Sequence, residues 1–213
     1  MGRSSWRLVA LALRTGKIRI MEPVVAKFRT HREAEEATRE HYRRLPPAQR
    51  LKILFRLRTR FHKEDDQLPE DWRAFIESLN SNEVEYLVVG AVALAYHGWP
   101  RYTDGLDILV RNTPENALQL ETVLASFGFD SLGLKAADFV DSYRVIQLRT
   151  PPNRIDLLTS ITGVPFDEAW AGRVEEELSG VLVKFIGRQA LIQNKKSTGR
   201  SQDHADLEVL GAG

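Results

Sequence analysis

Tyr86–Val110 reads YLVVGAVALAYHGWPRYTDGLDILV, and some forty-five residues on comes Arg154-Ile155-Asp156-Leu157-Leu158. The apolar run Tyr86-Leu87-Val88-Val89 ends at a glycine, the pattern of a buried strand. Ala91–His97 is small and helix-tolerant, and Gly98 with Pro100 closes it. Leu106-Asp107-Ile108-Leu109-Val110 is a second buried strand that carries a carboxylate, and Ile155–Leu158 a third that carries Asp156. Working outward, the spacing predicts a helix over 71–80, strand 85–89, helix 91–97, strand 105–110, helix 114–126, strands 144–149 and 154–158, helix 165–172, strand 181–186, and helices 188–197 and 201–210. Val145–Leu148 and Ile155–Leu158, joined through Pro151-Pro152-Asn153, read as a hairpin. Short connections mixed with helices between strands predict an α+β fold with a mixed sheet flanked by helices.

The chemistry follows from the two aspartates. A carboxylate inside so apolar a strand is costly to bury unless a cation or several hydrogen bonds compensate it. Mg²⁺ takes hard oxygen ligands from one or two carboxylates plus substrate phosphates, so Asp107 and Asp156 are candidate metal ligands. The plainer alternative is that each sits solvated at a strand end or pairs with Arg101 or Arg154. Gly90 permits a tight strand-to-helix turn and leaves N–H groups bare at a helix start, where phosphate is favoured.

Residues 86–110 resemble the signature of the DNA polymerase beta-type nucleotidyltransferase superfamily: an apolar residue, Gly and then Gly or Ser, a short helix, an Asp-x-Asp strand and a third Asp on a later strand. More narrowly, His97-Gly98-Trp99-Pro100-Arg101-Tyr102-Thr103 before Leu106-Asp107-Ile108 is similar to bacterial minimal nucleotidyltransferase-like proteins, many of them linked to toxin–antitoxin loci. Leu191–Lys195 and Gly199–Leu207 fit the same group, and the resemblance spans about Trp72 to Leu210. It implies a nucleotidyltransferase fold that uses Mg²⁺ or Mn²⁺ with an NTP and transfers NMP to an RNA end or a protein hydroxyl. It also implies roles: Asp107 and Asp156 at the metal, Lys195 on the phosphates, and Gly90 with Ala91 at the phosphate turn. Arg101 and Thr103, in the loop entering the strand, are open either to touching phosphate or base or to turn chemistry and surface charge. Asp104 is a further ligand only where a bulge turns it inward. RNA or a cognate toxin or antitoxin protein is the implied partner.

The chain departs from that signature at Gly105. Alternate strand residues share a face, so the partner carboxylate of Asp107 belongs at position 105, about 7 Å along the strand. Glycine stands there, with Asp104 one place early. A bulge could swing Asp104 inward, the glycine tolerating the left-handed conformation such a bulge often uses. Otherwise the site keeps Asp107 and Asp156 and binds one metal weakly, or catalysis is lost and a binding or regulatory protein remains. Ala91, where Gly or Ser is usual, is a second departure.

Other residues carry plainer expectations. His97 ends an apolar helix and is expected to bond to backbone. Asp203 and Asp206 share a helix face and are expected to cap or to pair with Arg200. The sequence has no cysteine, which excludes thiol catalysis, zinc–thiolate sites and disulfides. The five histidines show no ligand spacing, and no P-loop or dinucleotide fingerprint occurs.

The net charge of +1 conceals an asymmetry: residues 1–63 hold 17 Lys and Arg against 5 Asp and Glu, the rest 13 against 24. That marks a basic N-terminal module ahead of an acidic domain. The expected division is an extension at 1–20, a basic helical module at 21–63, a linker at 64–70 and a nucleotidyltransferase-like domain at 71–213. Thr30 with Glu33 fits a capping box for a helix to Arg44, and Pro46-Pro47 opens a second in which Leu51, Leu54, Phe55 and Phe61 recur. Three roles are open for its basic face: nucleic-acid binding, cover for the acidic domain, or plain solvation. Leu8–Leu13 is too short for a membrane span, and the expected location is cytoplasmic.

Overall fold

The computed structural model describes residues 30–59, 67–129, 133–150 and 153–213. The chain divides into two compact units, Met1–Thr38 and Arg39–Gly213. The described part of the first is the opening of helix α1 (His31–Arg44), where Glu33 N–H donates to Thr30 Oγ1 at 3.1 Å, as the capping pattern predicts.

The second unit is built on one six-stranded sheet in the order β3-β4-β2-β1-β6-β5. Its strands are β1 (Tyr86–Val88), β2 (Gly105–Val110), β3 (Val145–Leu148), β4 (Arg154–Leu158), β5 (Val174–Leu178) and β6 (Val181–Phe185). β1 runs antiparallel to β2 and parallel to β6, β2 parallel to β4, and β3–β4 and β5–β6 are antiparallel hairpins. The fold is α+β with a mixed sheet and flanking helices, as the pattern of elements implied. The β3–β4 hairpin is where expected. β5 is an addition: the sequence reading assigns no element to Val174–Leu178, yet every residue there pairs with β6. A short 3-10 helix at Ala136–Phe139 is a second addition, and it buries Phe139.

The apolar stripes fill the core. Helix α3 (Glu70–Ser81) buries Trp72, Phe75, Ile76 and Leu79, and α5 (Pro114–Ser126) buries Leu120, Val123 and Leu124. Helix α4 (Gly90–His97) buries Ala91 to Ala95 without interruption, so it lies inside the domain rather than on its surface. Helix α2 (Pro47–Thr59) packs on α4, with Leu51, Leu54 and Phe55 buried; Phe61, the fourth member of that stripe, lies outside the described residues. The second helix of the basic segment thus shares a core with the sheet.

Two buried arginines tie α2 to its surroundings, Arg50 to the ends of α1 and α4 and Arg58 to the loop before β2. Arg50 Nε donates to the carbonyls of Ala95 (3.0 Å) and Tyr96 (3.1 Å) at the end of α4, and its Nη1 donates to Tyr42 and Leu45 at the end of α1. A guanidinium there meets carbonyls that helix ends leave unsatisfied and complements the helix dipole. Arg58 stacks 4.0 Å over the Trp72 ring and donates to Thr103 O at 2.9 Å. Two of the basic segment's arginines therefore face inward.

Candidate metal and nucleotide site

Strand register sets the site. β2 and β4 pair in parallel from Gly105↔Arg154 through Asp107↔Asp156 to Leu109↔Leu158. Side chains alternate, so Asp107 and Asp156 sit beside each other on one face, with Gly105 and Arg154 the next pair along it. The two carboxylates that the sequence singles out are brought together.

Asp156 is buried at 6% exposure. Its Oδ2 lies 3.1 Å from Arg154 Nε, an ionic contact that lacks hydrogen-bond alignment, and its Oδ1 is buried with no partner. Asp107 is pushed up to about 6 by burial and then by the Asp156 charge, against the pull of Arg154, Arg101 and Arg200. A crowded acid pair with an orphaned oxygen suits a cation. The donor set fits one divalent ion held by Asp107 and Asp156.

The Gly90 turn closes on this pair. Val89 N–H donates to Asp107 O at 2.9 Å, and Gly90 takes φ +62 immediately after. A Cβ at Gly90 would overlap the Asp107 carboxylate, lying 2.8 Å from its Cγ. Both the conformation and the approach require glycine. Ala91 is buried at the start of α4.

Asp104 does not join the pair. Gly105 pairs in continuous register and has no positive φ, so no bulge turns Asp104 inward. The Asp104 carboxylate instead accepts the Tyr102 hydroxyl. Among the described residues no group of three or more acid, His or Cys side chains is placed to hold a metal.

Lys195, on helix α6 (Arg188–Thr198), is 4% exposed, with Nζ 3.2 Å from Asp203 Oδ1 and 2.5 Å from Asp206 Oδ2 on helix α7 (Ser201–Leu210). Its ammonium is paired inside the domain with those two aspartates. Arg101 grips Asp206 through two contacts of 3.2 and 3.3 Å, and Arg200 holds Asp203 at 2.8 Å, as expected for a pairing role. Burial works to raise Asp203, but hydrogen bonds from Arg200 and Lys195 hold it below the usual carboxylate range.

Thr103 turns its hydroxyl onto the Gly105 backbone rather than outward. His97 Nε2 sits 2.7 Å from Ile186 O, a backbone contact that fixes the ring, and burial lowers its pKa. Two further cations stand at the site, Arg154 and Arg200, which the sequence offered only as partners for carboxylates. Their signals were an i,i+2 spacing to Asp156 on a strand and an i,i+3 spacing to Asp203 on a helix.

A separate cavity of about 500 Å³ opens beyond the C-terminal ends of β2 and β4, lined in part by Asn112, Tyr143, Ser160 and Phe166. Its lining holds no acidic or basic side chain, and Ser160 Oγ is already engaged by Tyr143 N–H. Among the described residues no helix is long and apolar enough to cross a membrane.

No protein-family model matches the chain, and comparison with curated proteins returns no match. Among solved structures it is similar to a candidate nucleotidyltransferase from Thermotoga maritima, at 16% identity over 64% of this chain and 87% of that one, TM-score 0.44. It is also similar to an antigenic nucleotidyltransferase-like protein from Paracoccidioides brasiliensis, at 15% identity over 75% and 74%, TM-score 0.41. Both superpositions are loose.

Proposed function

We propose that the protein is a nucleotidyltransferase-type protein that binds an NTP with Mg²⁺ or Mn²⁺ on Asp107 and Asp156. The observation that carries this is the in-register acid pair, one of its oxygens buried and unpartnered, against the Gly90 turn. The ion would supply charge neutralisation on the phosphates. The chain's own residues would do the positioning: the Gly90 turn keeps Asp107 in place, and Arg101 and Arg200 add positive field at its carboxylate. In the reaction the oxygen of an acceptor hydroxyl would bond to the α-phosphorus, the α–β phosphoanhydride bond would break with pyrophosphate leaving, and the hydroxyl proton would pass to solvent. The acceptor is an RNA end or a protein hydroxyl, and the setting a bacterial, cytoplasmic toxin–antitoxin pair with RNA or a cognate protein as partner.

A second reading, a non-catalytic binding or regulatory protein on the same fold, is favoured by one observation: among the described residues no third carboxylate stands beside the pair. Incubation with each α-³²P-labelled NTP, Mg²⁺ or Mn²⁺, RNA and lysate separates the two. Label transferred by the wild type and lost in Asp107→Ala and Asp156→Ala supports transfer, and the labelled band names the acceptor. Metal-dependent nucleotide binding without label selects the second reading.

A further inference from the structure

Position 105 is not an empty place where a carboxylate has been lost. A Cβ built there would lie 3.1 Å from Arg154 Nε and 3.4 Å from Nη2, so the guanidinium covers the glycine. The same Nε is 3.1 Å from Asp156 Oδ2, and strand register places Arg154 beside Gly105 as it places Asp156 beside Asp107. A side chain at 105 would press on the arginine, which would have to give by a few tenths of an ångström.

We infer that the Arg154 guanidinium is a built-in cation of this site, taking the place of a second metal ion, so that the Asp107/Asp156 pair accepts one divalent ion only. The inference rests on the metal-binding reading above and deepens it. Charge supports it. Three carboxylates with two divalent ions carry a net +1, and two carboxylates with one guanidinium and one divalent ion carry the same. Arg154 therefore supplies the missing positive charge while Gly105 removes the negative charge that a second ion would need. Geometry supports it as well: Oδ2 of Asp156 faces the guanidinium, and the unpartnered Oδ1 is left for the ion. Arginine stays charged at any working pH, so this cation cannot be chelated away.

The test is equilibrium Mn²⁺ binding, read by the electron-paramagnetic signal of the free ion, with and without a non-hydrolysable NTP analogue. The wild type should bind one ion. Arg154→Gln removes a competing charge a few ångströms from the ion and should tighten that binding by about tenfold or more. Arg154→Lys keeps the charge and should stay near wild type, while a purely structural arginine would give weaker binding in both variants. Two ions in the wild type, or no tightening in Arg154→Gln, overturns the inference and leaves the metal-binding reading intact. Binding seen only in Arg154→Gln supports the built-in cation and removes the metal–nucleotide reading for the wild type. No binding in any of the three proteins, with melting curves that show them folded, overturns both.

Discussion

Gly90 and Asp107 are in contact: the glycine Cα lies where any side chain would run into the Asp107 carboxylate, 2.8 Å from Cγ to a built Cβ. The turn and the Asp107 carboxylate are one structural unit, since the β1-to-α4 corner must pass over the acid. Gly90→Ala combines the strain of φ +62 in a non-glycine residue with that overlap. The expected cost is about 2 kcal/mol or more, read by urea unfolding, with Mn²⁺ binding lost in the folded fraction. A variant of unchanged stability and unchanged metal binding would show that the corner moves freely.

Asp107 sets a pH dependence. Its folded pKa of about 6 stands above the ordinary 3.8, so the folded state holds the proton more tightly than the unfolded chain. Between those values the folded protein binds more protons, and stability must fall as pH rises through that window. The full penalty, on the order of 2–3 kcal/mol, applies above pH 6 and is absent below about pH 4. Asp107→Asn should flatten this part of the stability profile and be more stable than wild type at pH 7. Divalent metal competes with the same proton, so Mn²⁺ affinity should climb between pH 5 and 7. A profile identical in wild type and Asp107→Asn would remove Asp107 as the buried titrating group.

Lys195 is expected to be structural. Lys195→Met leaves Asp203 and Asp206 buried with one cation fewer, at a cost of about 3 kcal/mol. Because its ammonium is sealed between those acids, nucleotide affinity in the folded protein should change less than about twofold, whereas a lost phosphate contact costs tenfold or more. Isothermal titration with an NTP analogue below the variant's melting point decides which.

Arg50 is expected to matter as much as any core residue. It serves the carbonyl ends of two helices at once, so Arg50→Ala leaves several acceptors without donors and should cost about 3 kcal/mol. Deleting residues 1–63 removes Arg50, Arg58 and the Leu51–Phe55 stripe together and should yield no cooperatively folding domain. A sharp melting transition in that deletion would show that α2 is dispensable.

These residues also show where sequence reading reaches its limit. β1, α4, β2 and β4 were legible because each is an unbroken apolar run whose length and flanking glycines leave little choice, and Asp107 and Asp156 stood out as charges inside such runs. β5 was not legible: an edge strand pairs on one side only, and three successive glutamates are tolerated where half the strand faces water. The pairing of Lys195 was not legible because a lysine's spacing on a helix says nothing of what it meets, and here it meets two aspartates one helix later. Arg154 was visible only as a partner for a carboxylate. That it also covers Gly105 depends on β2–β4 register, which is a long-range property.

Gly105→Asp tests that register directly. If the glycine were merely a lost ligand, restoring the acid would rebuild a three-carboxylate site, bind a second Mn²⁺ and raise label transfer. With Arg154 over the position, the new carboxylate instead meets a guanidinium about 3 Å from its Cβ and pairs with it. The single variant should therefore bind one Mn²⁺ still and transfer no more label than wild type. Gly105→Asp combined with Arg154→Gln frees the acid and should bind two ions, with transfer raised above either single variant. Such a non-additive result is what coupling between two touching residues produces. Full recovery in Gly105→Asp alone would mean that Arg154 swings aside at no cost, and that the carboxylate alone limits the site.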